Sequence, residues 1–219
     1  VEMVSNLVLP LFSLFAIRRF GNPNNGLTQL VATTACTNRA SRTASTTCNS
    51  GRSLALKSFL DDESSTLQDA DGNEMPPDEV KARLANSRVA LYFAAGWCPM
   101  CTNFEPSLLT FRQAALDSGK GPLEIIYVSS DRNEESQKQR VKQMDMMNVK
   151  FDGGADELKK HYKIWAGSES MKFGVLGRRS GVPALVVLDK NGEELSFLPA
   201  EAQGARALRS WPLDDPNGI

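Results

Sequence analysis

A chain of 219 residues has room for one ordinary α/β domain with extensions, and 41% hydrophobic against 23% charged residues describes a folded globular chain rather than a wholly disordered or membrane-embedded one. The net charge of -1 hides an asymmetry: residues 1–60 set Glu2 against Arg18, Arg19, Arg39, Arg42, Arg52 and Lys57, while the rest of the chain is mildly acidic. That distribution excludes a body with a basic nucleic-acid-binding surface.

Residues 1–60 are predicted to be a leader, either targeting or disordered. The apolar run Leu7 to Ile17 is broken by Pro10 and is shorter than the roughly 20 residues that cross a bilayer, so no membrane anchor is expected. Thr28 to Ser50 is rich in Ser and Thr, carries Arg39 and Arg42 and lacks acids, which is the composition of an organelle transit peptide. Import into a plastid or mitochondrion is one expectation; an extension without an address, on a cytoplasmic protein, is the other. Cys36 and Cys48 fall in this leader and are assigned no role.

The body is expected over 61–212, with 213–219 a loose tail. Asp71-Gly72 suggests a hairpin turn within Ser65 to Met75, and Pro76-Pro77 opens a short helix to about Leu84. Val89 to Ala94 is a nearly unbroken apolar run, as in a strand buried on both faces. A helix follows from about Met100 to Ser118, with Phe104, Leu108, Phe111 and Ala115 on one side and a kink expected at Pro106. Leu123 to Val128 is a second buried strand, parallel to the first, completing a βαβ unit. Asp131 and Glu134 read as a capping pair for a helix bearing Val141 and Met144, and Met144, Met146 and Met147 as helix and core packing. A further helix is expected over Ala155 to Tyr162, then a loop over Trp165 to Arg179. A β-hairpin joins Ala184 to Leu188 and Glu194 to Phe197 across Asp189-Lys190-Asn191-Gly192. A terminal helix spans Ala200 to Trp211, with Gly204 a weak point inside it.

The chemistry lies at Cys98 and Cys101. A strand that delivers Cys-x-x-Cys to a helix N-terminus sets the first thiol among unsatisfied amides and the positive end of the helix dipole, which favour a thiolate. A thiol with an ordinary pKa of about 8.5 is roughly 3% ionised at pH 7, and one lowered to about 7 is half ionised. Cys98 is therefore expected to attack a disulfide. Cys101, one turn on, is expected to resolve the mixed disulfide. Trp97 would cover the pair, and Pro99 would fix the helix entry. A zinc site needs four ligands; the body holds no second cysteine pair and His161 is the only histidine, so no metal or cofactor is expected. His161 reads as a solvated residue. Arg178 and Arg179 read as a solvated loop pair, with docking of an acidic or glutathione-like carboxylate the less favoured role.

Trp97-Cys98-Pro99-Met100-Cys101, preceded by Leu91-Tyr92-Phe93-Ala94-Ala95-Gly96 and followed by Phe104-Glu105-Pro106, resembles the thioredoxin-like superfamily and within it the nucleoredoxin/tryparedoxin branch. The resemblance spans roughly Leu67 to Trp211. It implies an α/β thioredoxin-like fold with a central mixed sheet flanked by helices, in which Val182-Pro183 supplies a cis-proline facing the dithiol and offers backbone groups to an extended substrate. Two departures stand out. Tyr92 occupies the strand position where thioredoxins carry a buried acid, and Met100 replaces the second proline common in tryparedoxin-like motifs. The stretch between the dithiol and Pro183 is also longer than in a minimal thioredoxin, so Trp165 to Arg179 would border the site.

The resemblance implies a protein-disulfide reductase acting on protein disulfides, supplied with electrons by a thioredoxin-reductase-like or glutathione-like donor. The alternative is a redox-sensing module that controls a partner without efficient turnover.

Overall fold

The computed structural model describes residues 66–216. The predicted leader, with Cys36 and Cys48, lies outside the described residues, as do residues 217–219 of the tail.

Six strands form one mixed sheet in the order β1-β4-β3-β2-β5-β6: β1 (Leu67–Gln68), β2 (Arg88–Ala94), β3 (Leu123–Ser129), β4 (Met147–Val149), β5 (Ala184–Leu188) and β6 (Glu194–Leu198). Strands β2, β3 and β4 run parallel, while β5 lies antiparallel to β2, β6 to β5, and β1 to β4. The helices are α1 (Pro77–Leu84), α2 (Pro99–Asp117), α3 (Glu134–Met144), α4 (Ala155–Tyr162), α5 (Ser170–Phe173) and α6 (Ala200–Gln203). This is the thioredoxin-like α/β fold expected from the motif, a mixed sheet flanked by helices.

The apolar run of β2 is buried along its whole length because the strand is central, between β3 and β5. Its register sets Tyr92 beside Tyr127 on one side and Leu185 on the other. Helix α2 docks through Cys101, Phe104, Leu108 and Ala115, which are buried, with Phe111 partly so. The helix continues on both sides of Pro106.

Four expectations are corrected. Asn133, rather than Asp131, caps α3: its side chain accepts from the Ser136 amide at 2.9 Å, leaving Asp131 to another task. Met144, Met146 and Met147 pack in the core as expected, Met147 from the three-residue strand β4, which is too short for an alternation pattern to register. The expected loop over Trp165 to Arg179 contains a 3-10 turn (Gly167–Glu169) followed by α5. The expected terminal helix is two pieces, because Gly204 adopts φ +55° and the chain continues from α6 as a 3-10 helix over Gly204–Ser210. Beyond Trp211, residues expected to be loose are tied to the body. The buried Arg88 guanidinium donates to the carbonyls of Pro212 and Asp215 at 3.2 and 3.0 Å, and Lys120 pairs with Asp214.

The hairpin expected after β5 is present. Asp189 Oδ1 accepts from the amides of Asn191 and Glu193, and Gly192 supplies the positive φ that closes the turn. The turn at Asp71-Gly72 is closed similarly, by Asp69 accepting from the amides of Asp71 and Asn73.

Candidate active site

Strand β2 ends at Ala94, and a tight turn through Ala95, Gly96 and Trp97 leads into α2, with Cys98 at its N-cap and Pro99 in its first turn. The Cys98 amide donates to the Ala95 carbonyl at 3.0 Å, which closes this turn. Pro99 suits the position, since its missing N–H would find no intrahelical partner there. Cys98 and Cys101 are the free thiols among the described residues, Cys98 at 7% exposure and Cys101 fully buried. Cys98 Sγ lies 3.7 Å from the Val182 carbonyl oxygen, in a donor geometry. Val182-Pro183 is cis, as the resemblance implied, and both residues are buried against the dithiol turn.

Cys101 follows Cys98 by one turn of the helix, near enough for each thiol to feel the other. Burial pushes the Cys101 thiol far above its ordinary value, and the neighbouring Cys98 and the negative charge of Asp131 push the same way, only partly offset by the Ala95 backbone. Cys101 is thus held as a neutral thiol. Trp97 (38% exposed) and Met100 (47%), beside Cys98 in sequence, reach solvent. The Trp97 indole donates to the Ser130 carbonyl at 2.9 Å, and the Arg132 guanidinium stands 5.6 Å from the ring centre.

The strand acid that Tyr92 displaces is replaced by carboxylates from other elements. Tyr92, buried, points its hydroxyl at Glu105 Oε1 (3.4 Å), and Glu105, also buried, is paired with Arg140 of α3. Burial, and then the proximity of Cys101, raises the Tyr92 hydroxyl well above the usual phenol range, so it stays protonated as a donor. Asp131 stands at the end of β3, where its Oδ1 accepts from the Gly96 amide at 2.7 Å and its Oδ2 from Tyr127 and Ser129 at 2.8 and 2.9 Å. It braces the turn that carries Cys98.

The opposite wall is assembled from distant residues. Glu169 Oε2 accepts from Ser130 Oγ at 2.7 Å and from the Ala166 amide at 2.8 Å, while its Oε1 meets the buried Lys159 ammonium at 2.5 Å. Glu201 of α6 accepts from the Gly181 amide at 2.6 Å, immediately before Val182. A Cβ on Gly181 would lie 2.2 Å from the Glu201 carboxylate, so the position needs glycine for close approach. Arg178 faces Glu201 at 3.9 Å, and Arg179 binds Glu194 through two contacts of 2.8 Å. These arginines are engaged within the chain.

The structure brings Val182, from the loop entering β5, to Cys98 of the β2–α2 turn, with Trp97, Pro99, Met100 and Cys101 adjacent to Cys98 along the chain and Pro183 next to Val182. The supporting carboxylates Glu105, Asp131, Glu169 and Glu201 were not singled out. For Asp131 a signal existed. The ends of adjacent parallel strands meet at one edge, and a Ser-Ser-Asp run ending β3 falls beside the turn that ends β2. Glu169 and Glu201 carry no local signal, because only the three-dimensional path sets what they face.

The family model described as Thioredoxin-like matches residues 86–194, about half of the chain. Mouse (Mus musculus) nucleoredoxin is 33% identical over 113 residues, 52% of this chain and 23% of the mouse protein. Xenopus laevis nucleoredoxin is 32% identical over 118 residues, 54% of this chain and 25% of that protein. The chain thus spans about a quarter of the length of these relatives. Among solved structures, native tryparedoxin I from Crithidia fasciculata superposes with a TM-score of 0.51 at 25% identity, over 72% of this chain and 94% of that one.

Proposed function

Because the chain belongs to the thioredoxin-like family, as a relative of the nucleoredoxins and tryparedoxins with a redox function, we propose that it is a protein-disulfide reductase in which Cys98 attacks and Cys101 resolves. The single observation that carries this reading is geometric: Cys98 caps a 19-residue helix with its sulfur 3.7 Å from the Val182 carbonyl of a cis Val182-Pro183 bond, and Cys101 is buried one turn on. The Cys98 sulfur attacks one sulfur of a substrate disulfide; a bond forms between Cys98 and the substrate, and the other substrate sulfur leaves and takes a proton. Cys101 then gives up its proton and attacks Cys98 Sγ, breaking the mixed disulfide and releasing the second substrate thiol. Two electrons and two protons pass to the substrate, and the Cys98–Cys101 dithiol becomes a disulfide. A donor of the thioredoxin-reductase class, or two molecules of a glutathione-like monothiol oxidised to their disulfide, supplies the two electrons and two protons that return it to the reduced state.

Asp131 is the carboxylate whose charge is felt at Cys101, and it keeps that thiol protonated until it attacks. The backbone of Val182 and Pro183 supports an extended substrate strand, and Trp97, Pro99 and Met100 form its solvent-side contacts.

Insulin reduction with dithiothreitol as donor tests the assignment. Cys98→Ser is expected to abolish turnover. Cys101→Ser is expected to accumulate a mixed disulfide between Cys98 and the substrate, seen as a mass adduct. A wild-type rate no faster than that of the double variant sinks the proposal.

A further inference from the structure

Three large apolar side chains stand almost wholly in water within six residues of one another: Met171 (101% exposed), Val175 (81%) and Leu176 (90%). Isolated exposed apolar residues need no explanation, but a cluster beside a reactive group marks an interaction surface. This cluster sits on a segment anchored at both ends to the dithiol site. At the near end, Glu169 bonds Ser130, whose carbonyl holds the Trp97 indole. At the far end, Arg178 faces Glu201, which holds the Gly181 amide just before the Val182 carbonyl that meets Cys98.

The base of the segment is ordered by chemistry that would be costly to keep without a purpose. The Lys159–Glu169 pair is largely buried, and a buried ion pair recovers its desolvation cost only through close geometry and further hydrogen bonds. Phe173 packs on Trp165 with ring centres 5.5 Å apart, and Lys172 pairs with Asp156. Above this base, Gly174 and Gly177 both take positive φ (97° and 87°) and bracket Val175-Leu176 in a sharp excursion. The tip is apolar. Four of the cations around it, Lys159, Lys172, Arg178 and Arg179, each face a carboxylate of the chain itself, and Lys160 lies over the Phe173 ring, 5.9 Å from its centre. Recognition of a small anionic disulfide would need such cations free; recognition of apolar side chains does not.

We propose that the segment from Ala166 to Gly177 is a docking rim for polypeptide substrates, on which apolar residues flanking the client's cysteine pack against Met171, Val175 and Leu176 while its disulfide meets Cys98. The inference rests on the reading of Cys98 as the attacking thiol. Trp97 and Met100, on either side of Cys98 in sequence, add exposed apolar surface beside the dithiol. The occupant is an extended or locally unfolded polypeptide. Glutathione disulfide, with no large apolar side chain, gains nothing from the rim.

The test compares two oxidised substrates, insulin and glutathione disulfide, with dithiothreitol as donor. The variants are Met171→Ser/Val175→Ser/Leu176→Ser and, confined to the tip between the two glycines, Val175→Ser/Leu176→Ser. Both change residues already in water, and a cooperative melt at the wild-type temperature checks that they fold. The expected result is a kcat/KM for insulin lowered about tenfold in the triple variant and less in the double, carried by KM, which corresponds to about 1.4 kcal/mol of lost contact. Glutathione disulfide should turn over within twofold of wild type. An insulin rate that is unchanged, or that falls in parallel with the glutathione disulfide rate, overturns the rim and leaves the dithiol reading standing. A wild type that reduces neither substrate removes both.

Discussion

The two walls of the dithiol cleft are built on opposite principles. One wall is the run Ala95 to Cys101, in which a strand end, a turn, a proline and a helix start follow one another in sequence, so each part positions the next. The other is assembled from Ser130, Glu169, Gly181 and Glu201, where residues distant along the chain are joined by half-buried carboxylate contacts, Glu169 to Ser130 and Glu201 to Gly181. The first wall takes from distant elements only the braces of Asp131 at Gly96 and Ser130 at Trp97. The second depends on two carboxylates and the cations they meet, so its failure should be more abrupt.

The sharpest way to break the comparison is Glu169→Ala. It strands the Lys159 ammonium, whose side chain is 4% exposed, and removing one partner of a buried pair costs on the order of 3 kcal/mol or more. Urea unfolding should show that loss, with a red-shifted Trp97 emission as Ser130 loosens. A smaller effect is expected for Glu201→Ala, which leaves the buried Gly181 amide without its acceptor; about 2 kcal/mol of stability should go. Turnover of insulin should fall several-fold while iodoacetamide still alkylates Cys98 at an unchanged rate. If alkylation slows as much as turnover, the second wall shapes the thiol itself and the separation between the walls collapses.

The mildest perturbation is pH. Because burial holds the Cys101 thiol far above its ordinary value, its thiolate fraction grows about tenfold for each pH unit through the neutral range. Decay of a preformed Cys98 mixed disulfide, followed by stopped flow from pH 6 to 9, should therefore accelerate about tenfold per unit. Asp131→Asn removes one charge that raises the thiol, and should shift that profile toward lower pH. A flat profile would mean that Cys101 is not the resolving group.

The same contrast explains what could be read from residues alone. Strands β2 and β3 and helix α2 declare themselves through apolar runs and a buried stripe, and the motif between them names its own chemistry. Strand β4 is three residues long and borrows its conformation from β1 and β3, so no periodicity could reveal it. Asp131 has the residue type and spacing of a helix cap, and only its place at the end of β3, beside the β2–α2 turn, assigns it to Gly96 instead. Gly204 was visible as a weak point, yet that the helix divides there follows from a backbone angle that residue type permits but does not require. Glu169 and Glu201 resemble any surface acids until the fold encloses them.

The contact between Cys98 Sγ and the Val182 carbonyl joins positions 84 residues apart. On a ribosome both thiols emerge long before the loop that roofs them, so for part of synthesis they are a bare dithiol with no shaped cleft. A nascent chain at that stage has no means of choosing among the disulfides it meets. Selectivity arrives only when β5 joins the edge of β2, late in the life of the growing polypeptide.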